Sequence, residues 1–341
     1  MSGLLRLARN GLEYLLRRRE LSVPPMQVSI EPTNVCNFCC AFCPQSSPEH
    51  SQIAKGRMEL ESCRKLLERL AREFYPQAVH RKVSFTHDGE PFVHPDFPEF
   101  LEAAAALEFQ IKFASNGLLA TPALMDRLIA KGVRFNIWVD FCADRETFER
   151  IRGRAGSHEK ILANLRHLLE RAKESGAVSL DVCDITGFVT ADPAGRRRNL
   201  ELMKSLFAGL ESIRTKFSSR VFHNMAGTVE IPGKRAKAEG TSYRVCPYPW
   251  FNLNVAWDGR VVSCCRDLRA KTVLGNVFET ESLWEVWNGE PYRELRRALA
   301  EARPGDVAAC AACDLPYDTT RWSFPYLVKT ASARLLRTGR K

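Results

Sequence analysis

A chain of 341 residues, 45% hydrophobic and 26% charged, has an ordinary globular composition and length enough for one large domain or two moderate ones. No apolar run reaches the eighteen residues of a transmembrane helix, and no apolar segment with a small-residue cleavage site marks a secretory signal. The net charge of +10 is uneven: residues 1–20 carry five Arg against two Glu, residues 321–341 carry six basic residues and no acid, and the other 300 hold +1. That near-neutral body argues against nucleic acid as a partner.

The chain opens with a basic amphipathic helix, expected within residues 1–24. Leu4, Leu5, Ala8, Leu12, Leu15 and Leu16 share one face and Arg6, Arg9, Glu13 and Arg17 the other. The helix is expected to cap the open bottom of the barrel. From about residue 26 to 217, short β-like runs alternate with helical stretches. The strands are expected at Gln27–Glu31, Lys82–Thr86, Ile111–Ser115, Phe135–Asp140, Val178–Asp184 and Ser212–Phe217. Helices are expected at Glu61–Phe74, Phe97–Leu107, Pro122–Ala130, His158–Ser175 and Arg197–Leu210. Six β-then-α units predict an α/β fold: a parallel sheet curled into a partial (β/α)6 TIM-like barrel over residues 25–225. Chemistry is then expected at the C-terminal strand ends. Residues 226–245 read as a linker and 246–318 as a small cysteine-rich domain. Residues 319–341 form a basic tail in which Leu327, Val328, Ala331 and Leu335 accompany Lys329, Arg334 and Arg337. Such basic ends suit peripheral contact with an anionic membrane.

Twelve cysteines without a secretory signal point to metal ligands in a reducing cytoplasm rather than to disulfides. Directly after the first strand, EPTNVCNFCCAFCPQ places Cys36, Cys40 and Cys43 in the spacing CxxxCxxC. Three thiolates can hold three corners of a 4Fe–4S cluster and leave the fourth iron open. Zinc on three or four of Cys36, Cys39, Cys40 and Cys43 is the plainer alternative, though adjacent Cys39 and Cys40 suit a tetrahedron poorly.

CxxxCxxC on this loop, with Phe42 before the last cysteine, resembles the radical S-adenosylmethionine family. The resemblance implies that the open iron chelates S-adenosyl-L-methionine. It further implies that one electron, from a donor such as flavodoxin or ferredoxin, splits the cofactor to a hydrogen-abstracting 5′-deoxyadenosyl radical. Two further strand-end segments fit. Asp88-Gly89-Glu90-Pro91 resembles the family's Gly-Gly-Glu-Pro, whose backbone and carboxylate bind the methionyl ammonium, with Asp88 where Gly is usual. Ser115-Asn116-Gly117 resembles the Ser/Thr-Asn-Gly element that contacts ribose or carboxylate. Arg152 is placed to reach the cofactor carboxylate. Cys246, Cys264 and the pair Cys310–Cys313 resemble the SPASM/twitch domains that hold a second, auxiliary 4Fe–4S cluster. Four ligands imply the shorter twitch form, and Cys265 competes with Cys264. A zinc ribbon on the same four cysteines is the alternative.

A closed auxiliary cluster beside the pocket implies oxidation of the substrate radical. The expected reaction is loss of two electrons at a C–H or alcohol carbon of a polyol, amino sugar or lipid-linked sugar. Radical epimerisation with Cys142 or Cys183 as hydrogen donor, and peptide modification as in many SPASM proteins, are the alternatives. Asp140, His87, Asp88 and Asp184 stand at strand ends as candidate bases, with none singled out. A non-catalytic cysteine-rich scaffold is the rival outside enzymology.

Overall fold

A computed structural model of the chain describes residues 3–190, 192–232 and 242–317. The basic tail 319–341, with the amphipathic pattern expected there, lies outside the described residues, as does part of the expected linker. Among the described residues no helix is long and apolar enough to cross a membrane.

Six parallel strands form the barrel portion: β1 (Gln27–Ile30), β2 (Lys82–Phe85), β3 (Gln110–Ser115), β4 (Phe135–Phe141), β5 (Val178–Asp184) and β6 (Thr215–Ser219). Between them run α2 (Leu60–Arg69), α3 (Phe97–Ala106), α4 (Pro122–Ala130), α5 (Arg145–Arg152), α6 (His158–Glu174) and α7 (Pro193–Ser205), after α1 (Gly3–Leu15). The last turn after α2 is a π-turn, Leu70–Phe74, closed by Tyr75 N–H on the Leu70 carbonyl at 2.9 Å. Beyond the barrel follow α8 (Tyr248–Phe251), β7 (Asn252–Val255), β8 (Arg260–Val262), β9 (Val273–Asn276), α9 (Leu283–Trp287) and α10 (Glu290–Ala300). The cysteine-rich segment does not build a sheet of its own. β7 pairs parallel with β1, and the β8–β9 hairpin extends it, giving one nine-stranded sheet in the order β6-β5-β4-β3-β2-β1-β7-β8-β9.

Most element bounds follow the sequence pattern, with three local departures. α5 is not expected from the periodicity, yet Asp144 caps it by accepting from Thr147 N at 2.8 Å and Gly153 ends it in the left-handed region. α7 starts at Pro193, because Asp192 accepts from the N–H groups of Ala194 and Gly195 at 3.0 and 2.7 Å. β6 begins three residues late, since Ser212 N–H turns onto the Thr215 hydroxyl at 2.9 Å.

The two faces of the sheet differ. On the helix side Val28, Ile30, Val83, Phe85, Ile111, Phe113, Phe135, Ile137, Val139, Leu180 and Val182 are buried in one core. The opposite face carries lateral rows fixed by register. One runs Asn254–Ser29–Ser84–Lys112–Asn136–Ser179, the next Trp138–Asp181–Lys216, and the last Asp140–Cys183–Ser218. A closed barrel would fill this side with branched apolar side chains. Here it is polar.

α1 meets the bottom of the sheet through its polar side. Arg6 donates to the Pro25 carbonyl at 2.6 Å and lies over the Tyr75 ring, Asn10 donates to the Pro24 carbonyl at 3.4 Å, and Tyr14 donates to the Val245 carbonyl at 2.6 Å. The helix thus lies beneath the N-terminal ends of β1 and β7 with its polar side inward. Leu5, Leu12, Leu15 and Leu16 are exposed. Backbone carbonyls at the bottom of a sheet need donors, and arginine, asparagine and tyrosine supply them where leucine does not.

Candidate active site

β1 leads straight into the loop holding Cys36, Cys40 and Cys43, and two glycines hold that loop from either side. Gly89 has φ +71°, and a Cβ there would stand 2.2 Å from the Thr33 carbonyl oxygen and 2.9 Å from that of Val35. Gly153, just past α5, has φ +64°, and its Cβ would stand 2.2 Å from the Cys39 carbonyl oxygen. Ala41 N–H also donates to the Ile151 carbonyl at 2.8 Å. Both positions need a residue without a side chain, because of φ and because of the approaching backbone. Gly153→Ala is expected to lose about 1–3 kcal/mol from the backbone strain alone, and to lower iron incorporation at the first loop. Thermal unfolding and iron assay check this; a variant matching the parent in both would show that the loop is not clamped from this side.

The thiols lie close enough for Cys40 to raise the pKa of Cys36 and Cys43, and for Cys36 to raise that of Cys43. Burial is the main cause: it pushes Cys36 up to about 12 and moves Cys40 and Cys43 upward as well. Cys39 points outward and is exposed. Among the described residues no three Cys, His, Asp or Glu side chains converge tightly enough to ligate a single metal ion. Three thiols on one short loop are the donor set that three corners of a four-iron cluster take. The donor set fits a cluster.

Arg152 is buried beside this loop. Burial alone would lower its pKa, but Cys40, Asp140, Cys36 and Glu90 around it raise the pKa and hold it charged. Its guanidinium lies 5.0 Å from the Phe38 ring centroid and 3.7 Å from Asp140 Oδ2. The Phe42 ring packs against Phe222 at 5.1 Å, Phe188 at 5.9 Å and the Arg220 guanidinium at 4.9 Å.

The second and third strand-end segments meet through Glu90. Its carboxylate accepts from the Ser115 hydroxyl at 2.8 Å, Asn116 N–H at 2.6 Å and Phe92 N–H at 3.3 Å. Burial still raises the Glu90 pKa, with these bonds pulling the other way. Asn116 reaches back to the first loop, donating to Asn37 Oδ1 at 2.6 Å. Glu90, Ser115, Asn116 and the cysteine loop therefore form one hydrogen-bonded rim; Glu90 Oε1 accepts two of these bonds, and Oε2, which accepts one, keeps lone-pair capacity for a ligand. Asp88, in contrast, is occupied: Gln45 donates to it at 2.6 Å and His50 Nε2 lies 2.9 Å away.

Of the four candidate bases, three are engaged with protein partners. Asp88 is held as described, Asp184 accepts from the Thr186 hydroxyl at 2.8 Å with no solvent exposure, and His87 lies 2.9 Å from Glu31. The His87 pKa is raised: burial lowers it, but the charge and hydrogen bond of Glu31 prevail. Asp140 alone of the four lies on the polar face, where Trp138 Nε1 donates to it at 3.0 Å and Arg220 forms an ion pair with it. Cys183 stands between Asp140 and Ser218 in that row, while Cys142 is fully buried with its sulfur 3.4 Å from the Asp144 carbonyl. Burial raises both thiols to about 12, which keeps them protonated.

Cys246, Cys264, Cys310 and Cys313 line one small cavity together with Tyr248 and Arg266; Cys265 is not among its lining residues. Burial raises all four thiols, Cys246 to about 12. Arg266 donates to the Tyr248 hydroxyl at 2.9 Å. Burial opposes its charge, yet Tyr248 and the neighbouring thiols raise its pKa. A second four-sulfur donor set with an adjacent cation is thus present.

Sequence reasoning misses Glu31, whose carboxylate accepts from Asp88 N–H and Trp257 N–H, both at 3.0 Å, and so ties β1, the end of β2 and the segment after β7 together. It also misses Arg220, Lys112, Asp181 and Lys216 on the polar face. For Lys112 and Asp181 the signal is the alternation in QIKFAS and VSLDVCD, which marks one polar side along each strand.

Comparison with known proteins adds the following. The Radical SAM superfamily profile matches residues 30–186, and SPASM, an iron–sulfur cluster-binding domain, matches residues 246–314. A PqqA peptide cyclase of Granulibacter bethesdensis is 24% identical over 326 residues, covering 85% of this chain and 80% of that protein. The mycofactocin maturase MftC of Mycobacterium tuberculosis is 25% identical over 322 residues, covering 87% and 77%. Among solved structures, BtrN in complex with AdoMet and 2-DOIA shares the fold with TM-score 0.54 at 18% identity, over 85% of this chain and 93% of its own.

Proposed function

The chain belongs to the radical S-adenosylmethionine superfamily and carries a C-terminal SPASM domain, and from that premise we propose that it is a peptide-modifying radical enzyme. Its cofactors are S-adenosyl-L-methionine, a 4Fe–4S cluster and an auxiliary iron–sulfur cluster. When bound, these supply one-electron cleavage of the sulfonium to a hydrogen-abstracting 5′-deoxyadenosyl radical and a second site for one electron. Cys36, Cys40 and Cys43 would hold the first cluster, and Cys246, Cys264, Cys310 and Cys313 the auxiliary one. Phe42, Gly89, Glu90, Ser115, Asn116 and Arg152 would seat the cofactor. Asp88 serves this seat indirectly, by fixing Gln45 and His50 behind it.

The observation that carries the peptide reading is similarity, across both cluster-bearing portions, to proteins named as a peptide cyclase and a maturase. The polar face of the sheet supports it. Asn254 is buried with neither amide atom bonded, and Asn136 Oδ1 is likewise without a partner, among the described residues. A peptide group offers the donor and acceptor such a carboxamide lacks. Asp140, held by Trp138, Arg220 and Arg152, orients polar groups of the substrate at the C-terminal strand ends.

Oxidation of a polyol, amino sugar or lipid-linked sugar, the first expectation from the sequence, stands second; the same polar face and the four-cysteine auxiliary site favour it. Epimerisation would use Cys183, which lies on that face, rather than Cys142. A reducing cytoplasm, which keeps twelve free thiols reduced, is the proposed location. Anaerobic turnover decides between the readings. Reconstituted enzyme, reduced by flavodoxin or ferredoxin and given peptides encoded beside its gene, is expected to release 5′-deoxyadenosine and change the peptide mass. Release driven by a polyol, with every peptide inert, would overturn the peptide reading.

A further inference from the structure

α1 turns its apolar side away from the protein. Leu5, Leu12, Leu15 and Leu16 are 57%, 54%, 68% and 57% exposed. At 100° per residue they fall within an arc of about 100°. An apolar stripe of that kind on a surface marks a contact rather than chance exposure. Its borders carry cations: Arg9, Arg18 and Arg19 are exposed there, with Arg9 3.9 Å from Glu13 and Arg19 paired with Glu301 at 3.2 Å. Glu13, the acid within the helix, is drawn aside to accept from Ser22 N–H at 3.0 Å. The inward side, through Arg6, Asn10 and Tyr14, is committed to carbonyl groups of the protein, so the helix has no freedom to roll its leucines under the sheet.

A second, independent observation is where the described chain ends. The Tyr14 hydroxyl donates to the Val245 carbonyl at 2.6 Å, and Arg244 N–H donates to the Pro316 carbonyl at 2.9 Å. The last described residues, Pro316 and Tyr317, thus adjoin the segment that holds Tyr14 of α1, and further sequence follows them. Within it, residues 321–341 contain six basic residues and no acid, interspersed with Leu327, Val328, Leu335 and Leu336. Two cationic, leucine-bearing sequences do not complement each other. Both complement a surface that is anionic outside and apolar just beneath.

We propose that this side of the molecule docks on an anionic lipid bilayer, with α1 lying in the interfacial plane and its four leucines between the headgroups. The arginines bordering the stripe meet the lipid phosphates, and the polar face of the sheet stays in water.

Co-sedimentation of the cluster-loaded full chain with vesicles tests this. Binding is expected to vesicles of phosphatidylcholine mixed with phosphatidylglycerol and not to phosphatidylcholine alone, and it should weaken steeply with salt. A Leu12→Gln/Leu15→Gln variant, checked by its cluster absorption for intact folding, is expected to bind at least about tenfold more weakly. An Arg9→Gln/Arg18→Gln/Arg19→Gln variant reads the charge component separately. Failure to bind either vesicle overturns the proposal, as does unchanged binding by the leucine variant. A dimer in solution that the leucine substitutions dissolve would also overturn it and assign the stripe to a second copy of the chain.

Discussion

Replacing Cys36, Cys40 or Cys43 singly by Ala is expected to abolish 5′-deoxyadenosine release and to drop iron from about eight to about four atoms per chain. The three thiols are desolvated, and Cys40 raises the pKa of the other two. Losing one leaves two ligands in a site that water does not readily complete. Cys39→Ala is the control: its side chain is exposed and plays no part in the set, although its carbonyl touches Gly153. Cys39→Ala should keep both iron content and cleavage. Loss of cleavage on Cys39→Ala, with Cys40→Ala active, would reassign the ligand set.

The second large effect concerns the other cysteine pair. Cys264→Ala is expected to remove the auxiliary irons, halving the iron content, while release of 5′-deoxyadenosine persists. Cys265→Ala should leave about eight irons in place. The ground is geometric: Cys264 lines the cavity with Cys246, Cys310 and Cys313, and Cys265 does not. Iron assay with electron paramagnetic resonance of each variant reads the outcome. Reversal of the two results would move the ligand by one position and put Arg266 against it instead.

How far these sites are legible in the sequence depends on the range of the contacts involved. The cysteine loop, Gly89-Glu90 and Ser115-Asn116 are short motifs at strand ends, and parallel-sheet topology brings strand ends together without further instruction. Glu31 is illegible because its partners Asp88 and Trp257 lie 57 and 226 residues away. The joining of β7 to β1 is hidden for the same reason: Asn252–Val255 reads as part of a separate domain until the ladder with Gln27–Ile30 is seen. α1 is a different case. Its periodicity is plain, but amphipathicity says only that the two sides differ. Which side faces inward was decided by the carbonyls of Pro24, Pro25 and Val245, which no local pattern encodes.

The ladder between β1 and β7 also bears on how this protein can be handled in pieces. A fragment ending before the segment that contains β7 would bare the whole flank of β1, a row of unpaired amide and carbonyl groups beside the first cysteine loop. Such a fragment is expected to stick to itself. The N-terminal portion is therefore not a self-sufficient module awaiting an accessory, and the two iron-binding regions share one structural fate.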